Sequence, residues 1–145
     1  RSLLGWFDDS RILMLGEGYA LAINVDDASD SNEYELQDLP VESPFVPGLA
    51  PDRRGFVEMV EQSTGAAELV LTDYMTGEPR SLAEPPNPWG PAWWSPDSAQ
   101  VGYMAEDTPG RWSMWSVSSD AFNEPRLLAS NLADSDASPW QPVWP

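Results

Sequence analysis

The residues able to do chemistry in this 145-residue chain are carboxylates and indoles: 24 acids, eight tryptophans and seven arginines stand in a sequence without histidine, cysteine or lysine. That inventory excludes whole reaction classes. A Ser-His-Asp or Cys-His nucleophile needs an imidazole base, and an ordinary zinc site needs nitrogen or sulfur ligands. Schiff-base chemistry and the phosphate-loop lysine need an amine. Paired carboxylates can hydrolyse a glycosidic bond when a pocket holds them at a defined separation, but no pair is singled out by spacing here. No catalytic residue is assigned, no cofactor or metal is expected, and binding is the chemistry that remains.

Four residues are the candidates for contact with a ligand or partner. Trp89 and Trp140 each follow a proline in a stretch between repeated units, and an exposed indole can stack on a sugar, a cation or a partner's side chain. Asp134 and Asp136 alternate in Asp134-Ser135-Asp136-Ala137-Ser138, a weak likeness to the alternating oxygen ligands of a calcium loop. A second acidic stretch, Asp26 to Glu42, holds seven carboxylates and no base. Both stretches read first as solvated acidic faces.

A formal net charge of −17 repels phosphate backbones and anionic lipid, so nucleic acid is not an expected partner. The apolar runs are only strand-sized, which is too short to insert in a membrane as a helix. Without cysteine there is no disulfide framework, and the redox compartment stays open.

The elements that must position these residues come as a repeat. Trp6-Phe7-Asp8-Asp9-Ser10-Arg11, Leu49-Ala50-Pro51-Asp52-Arg53-Arg54 and Trp94-Ser95-Pro96-Asp97-Ser98-Ala99 are three copies, and Pro142-Val143-Trp144-Pro145 opens a fourth. Anchored on Asp9, Asp52 and Asp97, the spacings are 43 and 45 residues, the period of a four-stranded propeller blade. Glu78-Pro79-Arg80-Ser81-Leu82-Ala83 recurs as Glu124-Pro125-Arg126-Leu127-Leu128-Ala129, so the repeat extends beyond the aspartates. Between these landmarks lie alternating segments such as Leu21, Ile23 and Val25, separated by glycine turns, which are strand signals. Pro88-Trp89-Gly90-Pro91-Ala92-Trp93 also matches Pro139-Trp140-Gln141-Pro142-Val143-Trp144. That second match leaves open whether Trp93 or Trp94 is the repeated tryptophan.

Trp94-Ser95-Pro96-Asp97 resembles the signature of TolB-like propellers and of the related propeller domains of prolyl-oligopeptidase-type peptidases. The resemblance implies an all-β chain of about three four-stranded blades, half of a six-bladed propeller, spanning about 1–46, 47–91 and 92–141 with 142–145 starting the next. It also implies an extracytoplasmic, periplasmic or secreted, location. Where the family carries glycine after the aspartate, this chain has Ser10, Arg53 and Ser98, so each turn must tolerate a side chain.

The signature residues Trp6, Asp9, Pro51, Asp52, Trp94, Pro96, Asp97 and Trp144 are read as structural. Proline fixes φ before the turn, aspartate caps backbone amides, and the indole fills the wedge between blades. Trp115 is expected in the same packing role. Three blades do not close a ring that needs roughly 4 to 8. The leading expectation is therefore a non-enzymatic scaffold that binds protein and is closed by a second copy or by further blades. The rivals are the gating propeller of a longer peptidase, and a lectin-like propeller that binds sugar or cations through Trp89 and Trp140.

Overall fold

The computed structural model describes residues 2–16, 18–36, 47–61, 66–88, 90–120 and 124–133. Among them every regular element is a strand: β1 (Ser2–Trp6), β2 (Arg11–Leu15), β3 (Tyr19–Asn24), β4 (Ser31–Glu35), β5 (Gly48–Leu49), β6 (Gly55–Glu61), β7 (Ala67–Asp73), β8 (Pro79–Ala83), β9 (Trp93–Trp94), β10 (Gln100–Thr108), β11 (Arg111–Ser118) and β12 (Arg126–Ala133). They form three four-stranded antiparallel sheets, each in plain sequence order, β1 to β4, β5 to β8 and β9 to β12. Each sheet is one blade. The opening strands β1, β5 and β9 lie next to one another, as strands lining a propeller axis do.

The recurring Glu-Pro-Arg-x-Leu-Ala segment is the entry to the fourth strand, with Pro79 opening β8 and Pro125 immediately preceding β12. Proline suits that place because an edge strand can lack one N–H without breaking a central ladder.

Side-chain alternation sends half of each strand to each neighbour. Leu13 and Leu15 of β2, with Ala20 and Ala22 of β3, face the second blade and pack with Phe56 and Tyr74. Val57, Met59 and Leu69 of the second blade turn the other way and meet Val101, Tyr103, Ala105 and Val117 of the third. Burying each aliphatic side chain contributes roughly 1.5–3 kcal/mol, so these two seams hold the array together.

The repeated turn is built on an aspartate three residues before the second strand. Asp52 Oδ1 accepts from Arg54 N at 3.0 Å, and Asp97 Oδ1 accepts from Ala99 N at 3.0 Å. Arg53 and Ser98, at φ 62° and 60°, occupy the left-handed region that ordinarily favours glycine. The expectation of a turn that tolerates a side chain is met by real backbone strain.

In the first blade the cap is Asp8 rather than Asp9. Asp8 Oδ1 accepts from Ser10 N at 2.9 Å and from Arg11 N at 2.8 Å, while Asp9 is exposed. The strand register still aligns Trp6 with Leu49 and Trp94, since these pair with Ile12, Phe56 and Val101. Four residues separate Trp6 from β2, whereas five separate Leu49 from β6 and Trp94 from β10. The turn is one residue shorter, and the capping role follows the distance to the next strand rather than the distance from the tryptophan.

Candidate functional site

Antiparallel order puts the turns between first and second strands, and between third and fourth, at one end of every blade. That end carries Asp8, Asp9, Asp26, Asp27 and Asp30 from the first blade, Asp52, Asp73 and Glu78 from the second, and Asp97 and Asp120 from the third. The connection from β8 to β9 runs at the opposite end.

Between the second and third blades the turn end opens into a cleft of about 690 Å³. Its carboxylates are Asp52, Asp73, Glu78 and Asp120, its guanidiniums Arg54 and Arg80, and Leu71 and Trp94 supply apolar wall. Several of these groups are held by local bonds. Asp73 Oδ1 accepts from Met75 N at 2.8 Å, Asp52 N donates across the seam to Ser98 Oγ at 2.9 Å, and Arg80 Nη2 donates to Ser119 O. Ser119 Oγ in turn donates to Ser98 O at 2.9 Å. The rim is thus a braced ring of turns from two blades.

Trp94 resolves the register that sequence left open. Its indole Nε1 donates to Gly48 O at 2.8 Å, and its ring packs against the seam between the second and third blades. Trp93 pairs instead with Gly102, so it points to the other face of its sheet. Trp115 also packs on the seam, as expected. Trp6 does not: it is 54% exposed, because the neighbouring blade lies on the other face of its sheet.

Electrostatics follow from the caps. The Ser95 hydroxyl, donating to Asp97 Oδ1 at 2.6 Å, and then the Ala99 amide hold the Asp97 carboxyl below its ordinary value. The Ser10 amide does most to lower Asp8. In the acidic β3–β4 turn, the Ser29 hydroxyl and amide, at 2.6 and 3.0 Å from Asp27 Oδ1, lower Asp27 in the same way. Those carboxylates are solvent-facing turn caps. No group of three or more potential metal ligands converges among the described residues.

Trp89, Trp140, Asp134, Asp136 and Trp144 lie outside the described residues. The cleft was not foreseen in the sequence, and its clearest sequence signal is the arginine shared by the two Glu-Pro-Arg segments, Arg80 and Arg126.

No family model matches the sequence, and no curated protein matches it. Solved structures do. The TolB protein of Agrobacterium tumefaciens aligns with a TM-score of 0.63 at 15% identity over 90% of this chain and 46% of that one. This chain has the fold of a TolB-like β-propeller. The TolB-like arrangement also aligns with lmo1340 of Listeria monocytogenes, at TM-score 0.58 and 13% identity over 80% of this chain and 36% of that one. The propeller domain of the trilobed protease from Pyrococcus furiosus aligns at TM-score 0.52 and 12% identity, covering 81% and 38%. The chain therefore spans less than half the length of each of these three structures. No described helix is long and apolar enough to cross a membrane.

Proposed function

We propose that this TolB-like module is a non-enzymatic scaffold whose turn end binds a positively charged segment of a partner protein. Its ring would be completed by further blades or by a second copy, and it would work in an extracytoplasmic compartment, as the resemblance to TolB implies. The observation that carries this reading is the cleft between the second and third blades, where four carboxylates and two arginines surround an indole. Carboxylates accept lysine or arginine, the arginines fix an acidic or carbonyl group, and Trp94 offers a flat surface to an aliphatic stem or a cation. The surrounding acidic turns raise the encounter rate of a basic partner at low salt. With no imidazole, thiol or amine in the sequence, binding needs nothing that the cleft lacks, whereas the common nucleophilic mechanisms do.

The reading is tested by titrating labelled peptides, rich in arginine and lysine, against the chain at low and high salt. Saturable binding that weakens with salt, and that weakens again in a Glu78→Lys/Asp120→Lys variant, supports it. No binding at low salt, or cleavage of the peptide, refutes it. A second reading, the gating propeller of a longer peptidase, is favoured by the likeness to the trilobed protease propeller. Sequence continuing into a Gly-x-Ser-x-Gly nucleophile elbow would support that reading.

A further inference from the structure

The face of the first blade that turns away from the second is apolar and open. Leu3 pairs with Met14 and Trp6 with Ile12, and these pair onward with Leu21 and Ile23, so all six share one face. Leu3 and Trp6 are 59% and 54% exposed, and the other four are half-buried. On the opposite face of the same strands Leu13 and Ala22 are fully buried.

Trp6 holds the register position of Trp94. At the 2–3 seam, Trp94 sends its indole N–H to a carbonyl of the preceding blade's opening strand, that of Gly48. Glycine suits that place because the next blade leaves little room for a side chain. A Cβ on Gly48 would come within 3.1 Å of Ala92 O and 3.7 Å of Trp94 Cδ1.

We propose that the open face of the first blade seats another propeller blade, one with glycine at the Gly48 position of its opening strand and with that residue's carbonyl accepting the Trp6 indole N–H. The inference rests on the reading of this chain as a propeller module completed by other blades, and continues the 2–3 seam to the next position in the ring. It also selects against a second copy arranged head to tail. The strand that copy would offer is β9, which carries Trp93 at the Gly48 position, where even a single Cβ is crowded. Two chains of net charge −17 also repel each other.

The test uses the 145-residue chain and a fusion in which an added copy of residues 48–92 runs directly into Gly5. The quantity measured is acrylamide quenching of Trp6, isolated by difference against the matching Trp6→Phe protein. Trp6 is expected to be freely quenched in the original chain and several-fold less in the fusion. It is expected to be freely quenched again when the added copy alone carries Gly48→Trp. Free quenching of Trp6 in the fusion, with exchange-protected amides in the added strands, overturns the inference but leaves the propeller module standing. Absence of protection in both the added and the original strands refutes the module reading itself. Equal shielding in both fusions, or shielding in the original chain that grows with concentration, also overturns the inference, and the latter assigns the face to a second copy.

Discussion

The indole Nε1 of Trp94 and the carbonyl of Gly48, 2.8 Å apart, join the opening strands of the second and third blades across their seam. The bond and the packing can be separated by mutation. Trp94→Phe keeps most of the ring but removes the donor, which costs about 1 kcal/mol, and more if Gly48 O is left unpaired. Trp94→Ala also empties the wedge and should cost roughly 3–5 kcal/mol. Denaturant melts of the two variants measure both values, and equal losses would show that packing contributes little.

The two strained turns should respond differently to the same substitution. Arg53 and Ser98 share a left-handed φ of about 60°, which costs a non-glycine residue on the order of 1 kcal/mol. Arg53→Gly should therefore stabilise the protein by up to about that amount. Ser98→Gly relieves the same strain but gives up the Oγ that accepts from Asp52 N, so its net effect should be near zero or negative. Thermal melts of the two variants distinguish them.

On the first seam, Tyr74 sits with its ring centroid 5.6 Å from Phe7 and 5.3 Å from Tyr34. The same turn presses Gly77, at φ +71°, so closely on the first blade that a Cβ would lie 2.4 Å from Glu35 O. Gly77→Ala should destabilise by more than about 2 kcal/mol, since a backbone atom blocks the methyl and the conformation disfavours it. Hydrogen exchange in this variant should rise first in the strands of the first blade. A loss confined to the third blade would contradict the assignment of the contact.

Glu58 gives the pH dependence. It pairs with Val70 on the face of β6 that carries Phe56, and burial pushes its carboxyl from 4.5 up to about 7. The folded protein then binds a proton that the unfolded chain has released. Glu58 therefore makes stability fall as pH rises between about 4.5 and about 7, and the penalty is complete above that window. Glu58→Gln should stabilise the protein above pH 7 by on the order of 1–2 kcal/mol and flatten the slope between the two values. The Asp8 and Asp97 caps act with opposite sign: their lowered carboxyls stabilise the fold above the unfolded value and lose that contribution only in acid. A melting series from acid to neutral pH, run on the native chain and on Glu58→Gln, checks both signs.

Strand alternation and the recurring Trp-Ser-Pro-Asp element made the blade order legible in sequence, because both are local patterns. The cleft was not legible. It joins Asp52, Arg80 and Asp120, which come from two turns and a strand in two different blades, and only closure of one blade on the next brings them together. The choice of Asp8 over Asp9 was hidden for a related reason. Two adjacent aspartates fit the motif equally well, and the one-residue shortening of the turn is visible only once β2 fixes where the cap must point. Trp6 holds the register position of Trp94, but a repeat in sequence does not show that the second blade lies on the other face of its sheet and leaves the indole exposed.

The central claim is that these three blades are an open array awaiting blades of a different kind, and the solution mass tests it most directly. Light scattering across a concentration series should return a single species of 16.0 kDa, with Trp6 remaining open to quencher throughout. A stable dimer, forming as concentration rises and shielding Trp6, would contradict that claim and make the second copy, the other closure open to the module, the missing part of the ring.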